Sequence, residues 1–216
     1  MEIKVLKDIL GANDQMAQSN QQLLDGNHVF AVNLMASPGA GKTSLVLETI
    51  KGLQGKVRIG VIEGDISSTF DSELIAQQGV PVVQINTGGE CHLDASMIRN
   101  ALENLPLTDI DLLLVENVGN LVCPAEFNLG EHRKIVVSSV PEGDDKPIKY
   151  PAMFIIANAV VLNKTDLLPY VKFDSDRFRE AVREINRKLD IFEVSCTTGE
   201  GIERWTSWLL AEMGRK

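Results

Sequence analysis

A chain of 216 residues, 44 % hydrophobic and 24 % charged, is long enough for one sizeable α/β core, and neither its charge pattern nor its Pro and Gly distribution marks a second. The net charge of −9 comes from intermixed signs rather than an acidic block, which argues against a nucleic-acid partner. No run approaches a membrane-spanning length, the first eight residues lack the apolar core of a signal peptide, and three cysteines make an odd count for a disulfide framework. The expectation is therefore a cytoplasmic chain without a membrane partner, whose thiols are free or hold metal.

In chain order, Ile3, Leu6, Ile9, Leu10, Met16, Leu23 and Leu24 have spacings that predict one or two amphipathic helices, an arm over residues 1–27 ahead of a domain over 28–216. An apolar strand over 29–36, a helix over 42–53 and a strand over 57–62 make a βαβ unit. Between its first strand and helix stand Ala36-Ser37-Pro38-Gly39-Ala40-Gly41-Lys42-Thr43, the pattern of a phosphate-binding loop with Ala where Gly usually begins it. An ordinary Gly-rich turn is the competing interpretation. In a phosphate loop, Gly39, Ala40, Gly41 and Ser44 line the anion with backbone, Lys42 reaches the β and γ oxygens, and Thr43 takes a Mg²⁺ position. Asp65, just past the second strand, is the expected switch acid, facing the loop if that strand is a sheet neighbour of the first.

Short apolar runs at 80–85, 111–115, 135–140, 159–162 and 191–194 then alternate with helical stretches near 71–78, 93–104, 174–189 and 201–213. The alternation predicts an α/β fold with a doubly wound, mostly parallel sheet of the P-loop NTPase type, its functional residues beyond the C-terminal strand ends. Glu116 closes the 111–115 run, where its carboxylate can hold a magnesium-bound water, and Gly119 can sense a γ-phosphate through its N–H. Lys42, Asp65 and Glu116 are thus the candidate catalytic residues, and Thr43, Asp65 and Glu116 the candidate magnesium set. Asn120 follows Gly119 where a water-orienting glutamine could stand, so slow intrinsic hydrolysis is expected. Residues 143–147 are polar enough to predict a mobile loop.

Asn163-Lys164-Thr165-Asp166 follows a late strand, where Asp166 can accept from both N1–H and the exocyclic amine of guanine, which favours GTP and GDP over adenine nucleotides. Lys164 can cover the base and Asn163 can tie the loop together, although a helix N-cap cluster would look similar. Ser195 and Cys196, after the last strand, resemble a second guanine-contacting loop, with Cys196 also open to a structural role. Cys91 and His92 are adjacent in a Gly-rich loop, and Cys123 lies four residues past Gly119. Two thiolates and an imidazole suit Zn²⁺ or Ni²⁺ but fall one short of a closed site, which water, substrate or a second subunit could complete. His28 and His132 have no ligand partner that sequence identifies.

The runs Asn86-Thr87-Gly88-Gly89-Glu90-Cys91-His92-Leu93-Asp94-Ala95 and Glu116-Asn117-Val118-Gly119-Asn120-Leu121-Val122-Cys123-Pro124, with the phosphate loop and Asn163 to Asp166, resemble the HypB family of nickel-incorporation GTPases of the SIMIBI class along nearly the whole chain. The resemblance implies a homodimer linked to GTP and metal, with a site at its interface at the positions matching Cys91, His92 and Cys123. It also implies nickel delivery to a hydrogenase large subunit with an accessory nickel metallochaperone. Some members carry N-terminal Cys-rich or His-rich metal stores. Residues 1–27 have neither Cys nor His, so storage is not expected and affinity should be modest. Three alternatives stay open: a related G protein serving urease or cobalamin enzymes, a P-loop small-molecule kinase, and a passive metal-binding dimer in which nucleotide is only structural.

Overall fold

The apolar runs form strands because each is covered on both faces by helices, which lets nearly continuous Val, Ile and Leu replace the polar alternation of a half-exposed strand. In the computed structural model, which describes residues 9–66 and 68–215, the chain runs α1 (Ile9–Gly26), β1 (Phe30–Ala36), α2 (Lys42–Leu53), β2 (Ile59–Asp65), α3 (Phe70–Ala76), β3 (Val82–Asn86), α4 (Ala95–Leu102), β4 (Leu112–Glu116), β5 (Arg133–Ser139), α5 (Lys146–Lys149), α6 (Pro151–Ile156), β6 (Ala159–Asn163), α7 (Ser175–Ile185), β7 (Asp190–Glu193) and α8 (Ile202–Met213). The sheet order is β3-β2-β4-β1-β5-β6-β7, and all pairs are parallel. The expected "mostly parallel" sheet is thus wholly parallel.

One face of β1 sends Phe30, Val32, Leu34 and Ala36 into a core with α2 and α8, built on Leu45, Leu53, Trp205 and Leu209. The other face meets α1 and α4 through Ala31, Leu24, Ile98 and Leu102, and α6 and α7 through Met35, Phe154 and Phe178. Trp205 is fully buried, donates Nε1–H to Thr49 Oγ1 at 2.9 Å and stacks on Trp208. Trp205→Ala should cost roughly 3–5 kcal/mol, through lost transfer energy and a residual cavity. Equilibrium urea unfolding checks this, and a loss below about 1 kcal/mol would mean that α8 repacks freely.

Three expectations need correction. β4, not β2, is the neighbour of β1 on that side, so Asp65 approaches the loop from across β4 rather than from an adjacent strand. β2 runs to Asp65 instead of stopping at 62, which sets Glu63 opposite Glu116 in the register of β2 and β4. The 143–147 segment is held by defined contacts: Asp144 accepts from the Asp174 backbone at 2.9 Å and pairs with Arg177, Asp145 pairs with Lys149 at 2.5 Å, and α5 begins at Lys146.

α1 is one continuous helix against α4 and β1. Its buried amides reach distant loops: Asn13 accepts from Ala95 N at 2.9 Å and donates to Asn128 O at 2.8 Å, while Asn20 donates to Ala95 O at 2.8 Å and Leu129 O at 2.9 Å. Ile3 and Leu6 of the predicted pattern lie outside the described residues, as does the side chain of Ile9. No described helix is long and apolar enough to cross a membrane.

Candidate functional site

At the C-terminal ends of β1, β2 and β4 lies a cavity of about 470 Å³, where a doubly wound sheet reverses its winding and collects ligands. Gly39, Gly41, Lys42, Thr43, Ser44, Asp65, Glu116, Gly119 and Lys164 of the sequence candidates line it. Ala40 is buried behind the loop. Gly41 has φ +93°, and a Cβ there would run into the Asn163 amide, so only Gly lets the loop close before α2 begins at Lys42. Gly119 comes up against Pro38 of the same loop.

The electrostatics of this cavity centre on two buried carboxyls. Glu116 is 3 % exposed; its Oε1 accepts from Thr43 Oγ1 at 2.9 Å, and its Oε2 has no hydrogen-bond partner among the described residues. Burial pushes its pKa up to about 7 against the pull of Lys42 and the Thr43 hydrogen bond. Glu63, 2 % exposed with Oε2 likewise unpartnered, is pushed up to about 8 by burial first and then by the negative charge of Glu116, Asp65 and Asp71. Carboxylate oxygens of Glu63, Asp65 and Asp71 lie within 4.8 Å of one another. The unpartnered buried oxygens of Glu63 and Glu116, with Asp65 and Asp71 near Glu63, form a donor set suited to a hard divalent cation.

Sequence reasoning chose Asp65 and passed over Glu63 and Asp71. The signal was present: with β2 extended, Glu63 and Asp65 are two residues apart and share a face. Because Glu63 binds its proton more tightly in the fold than in the unfolded chain, its contribution is stabilising in acid. That contribution fades as pH rises from about 4.5 through about 8. Glu63→Gln should therefore raise the melting temperature of the nucleotide-free, chelator-treated chain by a few degrees at pH 8 and by little at pH 5. Scanning calorimetry at both values checks this, and an equal shift at the two would contradict it.

At the other end of the loop, Asn163 donates to Ala40 O at 3.1 Å and accepts from Cys196 N at 3.3 Å, so it ties three loops together. Lys164, at φ +62°, donates to Gly39 O at 2.7 Å, and Ser195 Oγ donates to Asp166 Oδ1 at 2.6 Å. Of these, Lys164 reaches the cavity wall, while Asn163, Asp166, Ser195 and Cys196 are not part of its lining. Cys196 is half-buried, with its thiol pushed up to about 12, chiefly by burial.

Cys91, His92 and Cys123 do converge. The Cys91 thiol donates to Cys123 Sγ at 2.9 Å, Cys91 Sγ lies 3.8 Å from His92 Nδ1, and the candidate ligand atoms all fall within 4.8 Å. The hydrogen bond shared with Cys91, followed by burial, holds the Cys123 pKa above the usual thiol range. Phe127 packs on the His92 ring at 3.9 Å. His132 accepts from Ala31 N at 2.9 Å and meets Asp25 at 3.1 Å, a structural role away from this trio. Asn120 accepts from Val122 N at 2.8 Å, so it shapes the loop that carries Cys123.

Residues 30–193 match the family model described as CobW/HypB/UreG, nucleotide-binding domain. The chain is 46 % identical over 209 residues to the hydrogenase maturation factor HypB of Escherichia coli, covering 97 % of this chain and 71 % of that protein. It superposes on the crystal structure of HypB from Archaeoglobus fulgidus with a TM-score of 0.88 at 39 % identity, over 94 % of this chain and 99 % of that one. Against HypB from Helicobacter pylori, solved in complex with nickel, the TM-score is 0.90 at 36 % identity, over 94 % and 96 %. With the parallel sheet and the loop at its switch point, these likenesses make the chain a member of the HypB family of hydrogenase maturation factors, within the P-loop NTPases.

Proposed function

We propose that this protein is a GTPase that couples GTP binding and hydrolysis to nickel handling in hydrogenase maturation. One observation carries the proposal: Cys123 belongs to the segment that begins at Glu116 and Gly119 on the cavity wall, and its sulfur already touches that of Cys91. Whatever moves the wall moves one half of the trio.

Lys42 would neutralise charge on the β and γ oxygens, and Thr43, Asp65 and Glu116 would hold Mg²⁺, which supplies charge neutralisation across the two phosphates. The unpartnered buried oxygens of Glu63 and Glu116 support that fit. Water attacks the γ-phosphorus, the bond to the β,γ-bridging oxygen breaks, and GDP and phosphate leave. Asp166, oriented by the Ser195 hydroxyl, would read guanine, with Asn163, Lys164 and Cys196 shaping its loop.

Three ligands are one short of a closed tetrahedral set, and Val122 beside Cys123 is 56 % exposed, which supports a shared site across a two-fold axis in a GTP-linked homodimer. Zinc suits the same donors, and the nickel-bound relative favours nickel as cargo. Delivery to a hydrogenase large subunit, with an accessory metallochaperone and in the cytoplasm, completes the proposal. Phosphate release measured with GTP and ATP in competition tests it. GTP should be preferred by at least tenfold with turnover well below one per second, and equal use of ATP, or transfer of phosphate to an acceptor, would replace it with a kinase.

A further inference from the structure

Asn117 is 1 % exposed, follows Glu116 directly, and has both of its side-chain polar atoms hydrogen-bonded inside the protein. Its Oδ1 accepts from Val118 N at 2.9 Å and from Leu93 N at 3.1 Å, and its Nδ2 donates to Asn33 Oδ1 at 3.2 Å. Asn33, buried in the middle of β1, donates in turn to Glu131 Oε1 at 3.1 Å, and Glu131 Oε2 accepts from Leu129 N at 2.7 Å. Leu93 is the residue after His92. Its fully buried side chain packs so closely on Gly64, between Glu63 and Asp65, that a Cβ there would lie 2.8 Å from its methyl carbons. Residue 93 is therefore gripped twice by the cavity wall, once by the amide just past β4 and once by the backbone of β2.

We propose that Asn117 is a positioning residue that makes the Cys91–His92 half of the thiol site follow the Glu116–Gly119 wall of the cavity. The physical case is a matter of shared acceptors. One side-chain oxygen fixes the peptide N–H groups of residues 93 and 118 to each other, and Cys123 continues from the second of these. Any displacement of the 117–119 backbone toward a γ-phosphate carries that oxygen and residue 93 with it, so both thiols shift as a unit. If it were cut, Cys123 would answer the nucleotide while Cys91 stayed with the loop after β3. A buried polar chain in which every side-chain polar atom of Asn117 and Asn33 has a partner leaves few alternative arrangements, which lets it transmit a displacement rather than absorb it.

The inference rests on the proposal that the cavity takes GTP and the trio takes metal. Nickel affinity, measured by competition with a chromophoric chelator in GDP and GTP-analogue states, tests both. The wild-type ratio between states should fall in the common range of about 5- to 150-fold. Asn117→Ser should bring it to within about twofold of unity while keeping the sulfur-to-nickel absorption band, which a general loss of structure would erase. Asn33→Ala, outside the cavity lining and away from the thiols, should bring it part-way. In the wild-type chain, hydrogen exchange of the Leu93 and Val118 amides should change together between nucleotide states. A folded Asn117→Ser or Asn33→Ala chain with the full wild-type ratio, or independent exchange of the two amides, would overturn the positioning role alone. A wild-type ratio of one would instead overturn the functional proposal beneath it.

Discussion

Lys42→Ala should reduce GTP turnover by about 10²- to 10³-fold, the usual consequence of removing one oriented charge from a phosphoryl-transfer site. Its effect here goes beyond the loss of a phosphate contact. Lys42 is 9 % exposed and is the cation that lowers the pKa of both Glu63 and Glu116. Without it, both carboxyls move further up, and the ionised form of Glu116, the one proposed to hold magnesium, becomes scarcer at neutral pH. The turnover profile of Lys42→Ala should therefore climb with pH more steeply than that of the wild type. Single-turnover phosphate release from pH 6 to 9 checks this. A variant that keeps a tenth or more of wild-type turnover would remove Lys42 from the chemistry.

Cys91→Ser with Cys123→Ser should weaken nickel and zinc binding by about 100-fold or more, because second-sphere losses alone cost 10- to 100-fold and a hydroxyl is a poor ligand for either ion. The two thiols lie 2.9 Å apart across 32 residues of sequence, so neither can act for the other. If the site is shared between subunits, the double variant should also lose metal-dependent dimerisation while retaining GTP binding. Equilibrium dialysis and light scattering with and without metal separate these effects. Unchanged metal stoichiometry would move the site elsewhere, and unchanged self-association would confine it to one chain.

The first βαβ unit was legible because two signals coincide there: an apolar strand ending on the phosphate-loop residues, and a helix whose Leu45, Val46, Ile50 and Leu53 all face one core. Strand ends were less so. Glu63 reads as a charge that should stop an apolar run, yet β2 continues through it because Lys42 and the cavity give a buried carboxyl somewhere to sit. Sheet order was not legible at all, since βαβ geometry alone does not say that β4 will insert between β1 and β2. α5 and α6 were missed because each is too short for helical periodicity to register, and both have a proline in the first turn. The trio of Cys91, His92 and Cys123 could be nominated from donor chemistry alone. Asn33 and Asn117 could not, because their bond spans 84 positions and no local pattern distinguishes either asparagine from a loop residue.

The stitches made by α1 carry a mechanical consequence. Asn13 and Asn20 fasten peptide groups at 95, 128 and 129 to a single rod, and those groups flank the two loops that end in sulfur. The loops cannot splay without breaking hydrogen bonds to that rod, so α1 serves the Cys91 and Cys123 loops as a hinge pin. Trimming it would free the two thiols from each other well before it unravelled the strands.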